Sequence, residues 1–193
     1  MTRTNWTTGA IILTLTALSG AIGRAGAPEP NDDSLRAARV ARGAYLVGAM
    51  GCNDCHTPMK MGPNGPERDM TRMLTGHPED LVMPAPPVLP KGPWMATMSA
   101  TMTAWSGPWG VSFTANLTPD KETGLGLWTE EMFIATMKTG RHQGKGRPVL
   151  PPMPVEMLRA LNDEDIKSVF AYLQSLPAVR NRVRVPIDPP VAE

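Results

Sequence analysis

The sequence predicts a helical, loop-rich domain, and three observations carry that prediction. Three stretches combine a helix cap with helical apolar spacing. Sustained strand alternation is missing, Val111 to Ala115 being the one short candidate. Proline and glycine crowd residues 57–127, where they break long helices.

Taken in order, residues 1–27 read as an address. Arg3 is followed by an apolar run from Gly9 to Ile22 and by small residues Ala25-Gly26-Ala27, the grammar of a secretory signal peptide. Cleavage after Ala27 would leave Pro28 at the new terminus, a poor fit to a protease that needs an extended, hydrogen-bonded substrate. Ser19-Gly20-Ala21 and Gly23-Arg24-Ala25 are alternative sites. Residues 6–22 are instead just long enough to serve as an uncleaved membrane anchor. Either reading exports residues 28 onward.

The first helix begins in Asn31-Asp32-Asp33-Ser34, shows Leu35, Ala38, Ala41, Tyr45 and Ala49 at helical spacing, and stops at Gly51, delivering the chain to Cys52. Thr129 caps the second, with Glu130 and Glu131 at its positive end, Phe133 and Met137 one turn apart, and Gly140 as the stop. Asn162 caps the third, whose Ile166, Val169, Phe170 and Leu173 follow i, i+3, i+4, i+7; Leu161 precedes the cap as a staple and Pro177 ends the element. A structureless middle of this length needs an organiser. Residues 178–193 read as an extended tail.

The 193 residues include 21 Pro and 18 Gly, about a fifth of the chain and below the roughly 25–30% of low-complexity disorder. Ten aromatics exclude a dense aromatic core. A formal charge of +1 offers no footprint for nucleic acid and no polybasic membrane patch. Without residues 1–27 the balance is 17 basic against 18 acidic residues. Two cysteines exclude a disulfide framework.

Those cysteines stand in Cys52-Asn53-Asp54-Cys55-His56, the C-x-x-C-H signature of c-type haem attachment. Two thiols three residues apart on one turn reach the two vinyl groups on one porphyrin edge, and the next residue turns its imidazole to the iron. Cys52 and Cys55 are thus predicted to become thioethers and His56 the proximal ligand. Three rival readings fit less well. A thioredoxin-like dithiol would follow a strand in a βαβ unit. A zinc site would need two more ligands, and only His77 and His142 are available, without a paired C-x-x-C or H-x-x-x-H partner. A disulfide across so short a loop would stabilise little. A covalently held macrocycle also supplies buried surface that the few aromatics do not, and gives residues 57–127 something to wrap.

For the sixth iron position the candidate is Met153 in Pro151-Pro152-Met153-Pro154, where flanking prolines favour an extended, rigid loop. Met83 and Met157 are the runners-up. His77 and His142 read as surface or hydrogen-bonded residues. The Met-rich stretch from Met50 to Met102 reads as adaptable packing rather than a Cu(I) site. Arg141 and Arg147, beside Lys145, and the indoles of Trp109 and Trp128 are candidate contacts for the haem propionates or the pocket wall. Asn116-Leu117-Thr118 matches a glycosylation acceptor but is read as structural.

Arg42-Gly43-Ala44-Tyr45-Leu46-Val47 leading into Gly51-Cys52-Asn53-Asp54-Cys55-His56-Thr57-Pro58 resembles the opening of class I cytochrome c domains. Ala115 to Asp120, Thr123-Gly124-Leu125-Gly126, Trp128 to Glu131, Pro151 to Pro154 and Ala171-Tyr172-Leu173 are similar to the haem domains in cytochrome subunits of membrane-bound alcohol and gluconate dehydrogenases. The resemblance, over about residues 35–177, implies a mainly α, cytochrome c-like fold. In it the N- and C-terminal helices cross around the covalent haem, Gly43 or Gly48 lies near Tyr172, and Met153 is the distal ligand. Those subunits usually carry three C-x-x-C-H motifs, whereas this chain has one.

The resulting expectation is a signal peptide or anchor at 1–27, a cytochrome c domain at 28–177 and a tail at 178–193. The function expected is that of a periplasmic carrier of single electrons with one haem c and His/Met-ligated iron. Its redox partners would be a dehydrogenase, a respiratory complex or a terminal oxidase, and not nucleic acid. The alternatives are a haem protein open to peroxide or a diatomic gas at the sixth position, and a fixed cytochrome subunit of a dehydrogenase or respiratory complex.

Overall fold

The computed structural model describes residues 31–189, so the address expected at 1–27 lies outside the described residues. Helix α1 (Asp32–Ala49) opens where the Asn31 side chain accepts the Ser34 N–H at 2.8 Å. Gly51 takes φ 67° and ψ 29°, left-handed values that a Cβ disfavours, and turns the chain directly into α2 (Cys52–His56). Helix α3 (Glu130–Thr139) is capped by Thr129 and closed at Gly140. A short α4 (Val155–Arg159) precedes α5 (Asp163–Ser175), whose cap Asn162 accepts the Asp165 N–H. Among the described residues no helix is long and apolar enough to cross a membrane.

The core joins α1, α3 and α5. Ile166, Val169, Phe170 and Leu173 of α5 are buried with Leu46, Val47, Leu74, Leu125 and Phe133. Each large apolar side chain buried in this way stabilises the fold by about 1.5–3 kcal/mol. On α1 the buried face is not the expected one. Leu35 and Tyr45 are 54% and 65% exposed, while Gly43, Leu46 and Val47 are buried. A glycine sets this face because only hydrogen fits there. A Cβ on Gly43 would lie 2.6 Å from the Ser168 carbonyl carbon and 2.7 Å from Tyr172 Cβ, whereas one on Gly48 would meet nothing within 4 Å. Of the two glycines expected near Tyr172, Gly43 is the one.

Residues 57–127 contain more strand than their sequence suggests. Strands β1 (Met59–Gly62) and β2 (Gly65–Arg68) form an antiparallel hairpin. Strands β3 (Thr97–Met98), β4 (Ala104–Gly107) and β5 (Gly110–Phe113) form an antiparallel sheet in that order; β5 overlaps the one strand expected. Each is too short for alternation to register. Buried side chains satisfy much of the remaining backbone: Thr57 Oγ1 accepts the Leu74 N–H at 2.9 Å, and Asn116 Oδ1 accepts the Thr118 N–H at 3.0 Å. Residues 178–189 carry no helix or strand beyond an isolated bridge at Ile187, but they are fastened down, with Asn181 only 1% exposed.

Candidate functional site

A cavity of about 580 Å³ opens between α1, α3, α5 and the middle loops, inside the roughly 300–1,000 Å³ range of ligand sites. Cys52, Cys55, His56 and Met153 all line it. So do Val47, Leu125, Phe133, Ile166, Val169 and Leu173, six of the nine buried core residues. The cavity therefore penetrates the hydrophobic core.

His56 is positioned from behind. Its Nδ1 is 2.8 Å from the Ala115 carbonyl, and that carbonyl can only accept, so Nδ1 carries the proton. Nε2 has no hydrogen-bond partner among the described residues, leaving its lone pair for a metal. The His56 carbonyl accepts the Gly76 N–H at 2.8 Å, so two distant loops hold this residue, one at its ring and one at its backbone. Burial pushes the His56 pKa below its ordinary value, with the Ala115 contact opposing it, which favours the neutral ring that a ligand needs.

Burial pushes the Cys52 thiol up to about 11 and raises that of Cys55 as well. An active dithiol needs a depressed thiol pKa, so the electrostatics oppose thioredoxin-like chemistry. Neither cysteine is in a disulfide.

Met153 sits in the loop between α3 and α4. The four residues around it form a turn rather than the expected extended segment: the Met153 N–H donates to Leu150 O at 3.3 Å, and the Pro151–Pro152 peptide is cis. Ser112 Oγ donates to Pro151 O at 2.6 Å and ties the loop to β5. Of the two runners-up, Met157 lines the large cavity, whereas Met83 lines a separate one of about 210 Å³.

Arg147 and Trp128 line the cavity, with His142 edge-on to Trp128 at 5.0 Å. Arg141 and Trp109 lie outside the lining. The Arg141 guanidinium closes its own loop on Gly146 O at 2.9 Å, and the Trp109 indole, folded over Gly107, donates to Ser112 Oγ at 3.3 Å. His77 is buried, with Nδ1 2.9 Å from Thr103 Oγ1. Asn116 is buried too, its amide donating to Val179 O at 2.8 Å, which leaves no room for a glycan.

The chain matches the Cytochrome c family model over residues 40–177. It belongs to the cytochrome c family. Among its relatives, the fructose dehydrogenase cytochrome subunit of Gluconobacter japonicus is 30% identical over 162 residues, 84% of this chain and 26% of that protein. The gluconate 2-dehydrogenase cytochrome c subunit of Pantoea cypripedii is 30% identical over 141 residues, 73% of this chain and 24% of the relative. The cytochrome c subunit of alcohol dehydrogenase (quinone) from Gluconobacter oxydans is 35% identical over 65 residues, 34% of this chain and 13% of that protein. The cytochrome thus spans about a quarter or less of the length of these relatives.

Membership implies electron transfer and covalently bound haem c, and the donor set fits. Two free thiols on one turn, an imidazole with its nitrogen lone pair unused and a thioether all face one apolar space. The sequence reading missed one part of the wall: Arg182 to Pro186 of the tail line the same cavity. Asn181, which fastens them, has no periodic or capping context that would mark it.

Proposed function

We propose that this chain is an exported monohaem c-type cytochrome carrying single electrons between redox partners, with haem c on Cys52 and Cys55 and its iron held by His56 and Met153. What supports the reading is that these four side chains line one cavity in the core while His56 Nε2 has no partner among the described residues. Bound there, haem c supplies a one-electron Fe(III)/Fe(II) couple. The Ala115 carbonyl orients His56 and raises its basicity. A Met153 thioether favours a higher potential than a second imidazole would. Arg147 and Trp128 contact the cofactor or its pocket, and Arg141 and Trp109 shape the loops behind them. No substrate bond is made or broken. Electrons cross at the edge nearest Cys52 and Cys55, and docking is brief, through an interface at the small end of the range.

The signal read at 1–27 makes the protein periplasmic, with residues 6–22 as the anchor if it is not cleaved. The partner is a dehydrogenase, a respiratory complex or a terminal oxidase. The relatives named as dehydrogenase subunits favour a second reading, a fixed subunit of such a complex. Stable co-purification with a dehydrogenase after detergent extraction would select it over a free carrier.

One spectrum tests the ligation. The oxidised protein should be low-spin and show the weak far-red band of methionine-ligated ferric haem, and Met153→Ala should abolish that band with haem still attached. High-spin iron in the wild type would sink the reading in favour of an open sixth position for peroxide or a diatomic gas.

A further inference from the structure

The tail after Pro177 lies beyond the family match, yet it is fastened at two points that flank the cavity wall. At the first, Asn181 Nδ2 donates to the carbonyls of Thr75 and His77 at 2.7 and 2.8 Å, and Oδ1 accepts the Glu79 N–H at 2.9 Å. Glu79 adds a second tie, its carboxylate taking the Arg182 N–H at 2.6 Å and the Arg180 guanidinium at 2.8 Å. At the second point, Ile187 and Val111 exchange both backbone hydrogen bonds, at 2.8 and 2.9 Å. All five residues between the two points, Arg182 to Pro186, line the large cavity. A segment pinned at both ends whose every residue lines the large cavity, with Arg184 also bordering the smaller one, is a built wall rather than a loose arm.

This wall carries more positive than negative charge. Three arginines line the cavity, Arg147, Arg182 and Arg184, against two acidic residues, Asp54 and Glu122. Asp54 is paired with Arg68, which is not part of the lining. Glu122 reaches Arg182 only at 3.9 Å. Arg184 has no ion-pair partner among the described residues. An unpaired Arg184 beside an Arg182 with one distant carboxylate partner, both on the rim of an apolar cavity, suits a ligand that is largely apolar and ends in carboxylates.

We propose that residues 182–186 are a strap closing the cofactor cavity, and that Arg182 and Arg184 hold the propionate carboxylates of the haem. The proposal rests on the haem reading above and moves the propionate site from the loop of Arg141 to the tail. Cations there act on the couple through space: reduction adds a negative charge in their field, so they favour the ferrous state.

The test is a redox titration of the purified, haem-loaded full-length protein and its Arg182→Gln, Arg184→Gln, double Gln and double Lys variants, with Arg36→Gln as a control. Arg36 is an exposed cation on α1 outside the cavity lining. At the wild-type midpoint, the double Gln variant should show a ferrous-to-ferric ratio about tenfold lower, which is about 59 mV for one electron. Each single variant should give part of that drop, the double Lys variant should recover at least half of it, and Arg36→Gln should move the ratio less than twofold. If the double variant accumulates without haem, the single variants carry the measurement. Haem-loaded Gln variants within twofold of the wild type, or a control that matches them, would overturn the strap proposal and leave the haem reading standing. A wild-type protein without covalent haem on a denaturing, haem-stained gel would overturn both.

Discussion

The contact between α1 and α5 supports a comparison of one substitution at two positions on the same helix. Gly43→Ala would put a methyl carbon 2.6 Å from the Ser168 carbonyl carbon and 2.7 Å from Tyr172 Cβ. Ordinary contacts begin near 3.4 Å, so the helices must part by close to an ångström, and the Ser168 carbonyl is α5 backbone that does not swing aside. A gap of about 0.5–1 Å forfeits a quarter to a half of each dispersion contact it opens. The contacts at risk are those of Leu46 and Val47 with Ile166, Val169, Phe170 and Leu173. That places the substitution at or above the top of the usual overpacking range, about 3 kcal/mol or more, against about 1 kcal/mol gained from the better helix propensity of alanine. The net loss is about 2–3 kcal/mol, or roughly 5–10 °C in Tm for a domain of this size. Gly48→Ala is exposed with nothing within 4 Å, so propensity alone acts and stability should rise by about 0.5 kcal/mol near this helix end. Thermal unfolding of both haem-loaded variants, followed by circular dichroism, reads the two signs. A Gly43→Ala protein melting within 1 °C of the wild type, or above Gly48→Ala, would refute the close-approach argument.

Two further outcomes follow from burial. A Cys52→Ala, Cys55→Ala chain purified without haem should lack a cooperative thermal transition, because six of its nine core residues then face an unfilled cavity and the native-state ligand no longer contributes its stability; a sharp calorimetric peak in that chain would count against it. Burial also pushes the His77 pKa down, so the unfolded state binds a proton that the folded state does not. Its contribution is intact above the ordinary His pKa and is lost as pH falls from about 6.5, at up to roughly 1.4 kcal/mol per pH unit. Urea titrations of the haem-loaded protein at pH 7.5 and 5.5 should show a smaller loss in His77→Gln than in the wild type, and equal losses would contradict the assignment.

What could be read from the sequence was what neighbours along the chain decide. The caps at Thr129 and Asn162, the α5 stripe and the turn from Gly51 into Cys52 depend on residues within seven positions of each other, and all appear in the structure. The buried face of α1 differs from the expected one because alanines at helical spacing look apolar, while the residue that sets the face is a glycine with no side chain to count. The two sheets escaped because their strands are two to four residues long. The partner of His56 is Ala115, 59 positions away, chosen through a carbonyl that every residue possesses. No side-chain pattern could announce it.

The organiser of residues 57–127 also changes in kind. The sequence suggests a cofactor for the loops to wrap, yet Thr57, Asn116 and Asn181 bond to the backbone there, and the Asn181 ties bridge more than a hundred positions. Each such bond contributes about 1 kcal/mol net, whereas leaving a buried partner unmade costs about 1–3. These bonds therefore select one loop path far more strongly than they stabilise it. The free energy that holds the path has to come from the apolar side, and there the large cavity interrupts the core. Polar fasteners and apolar filling thus divide the work: the first fix where His56 and the strap stand, and the second makes that arrangement stable once the cavity is filled. This division is why loss of haem should abolish cooperativity even though none of these buried hydrogen bonds involves the two cysteines.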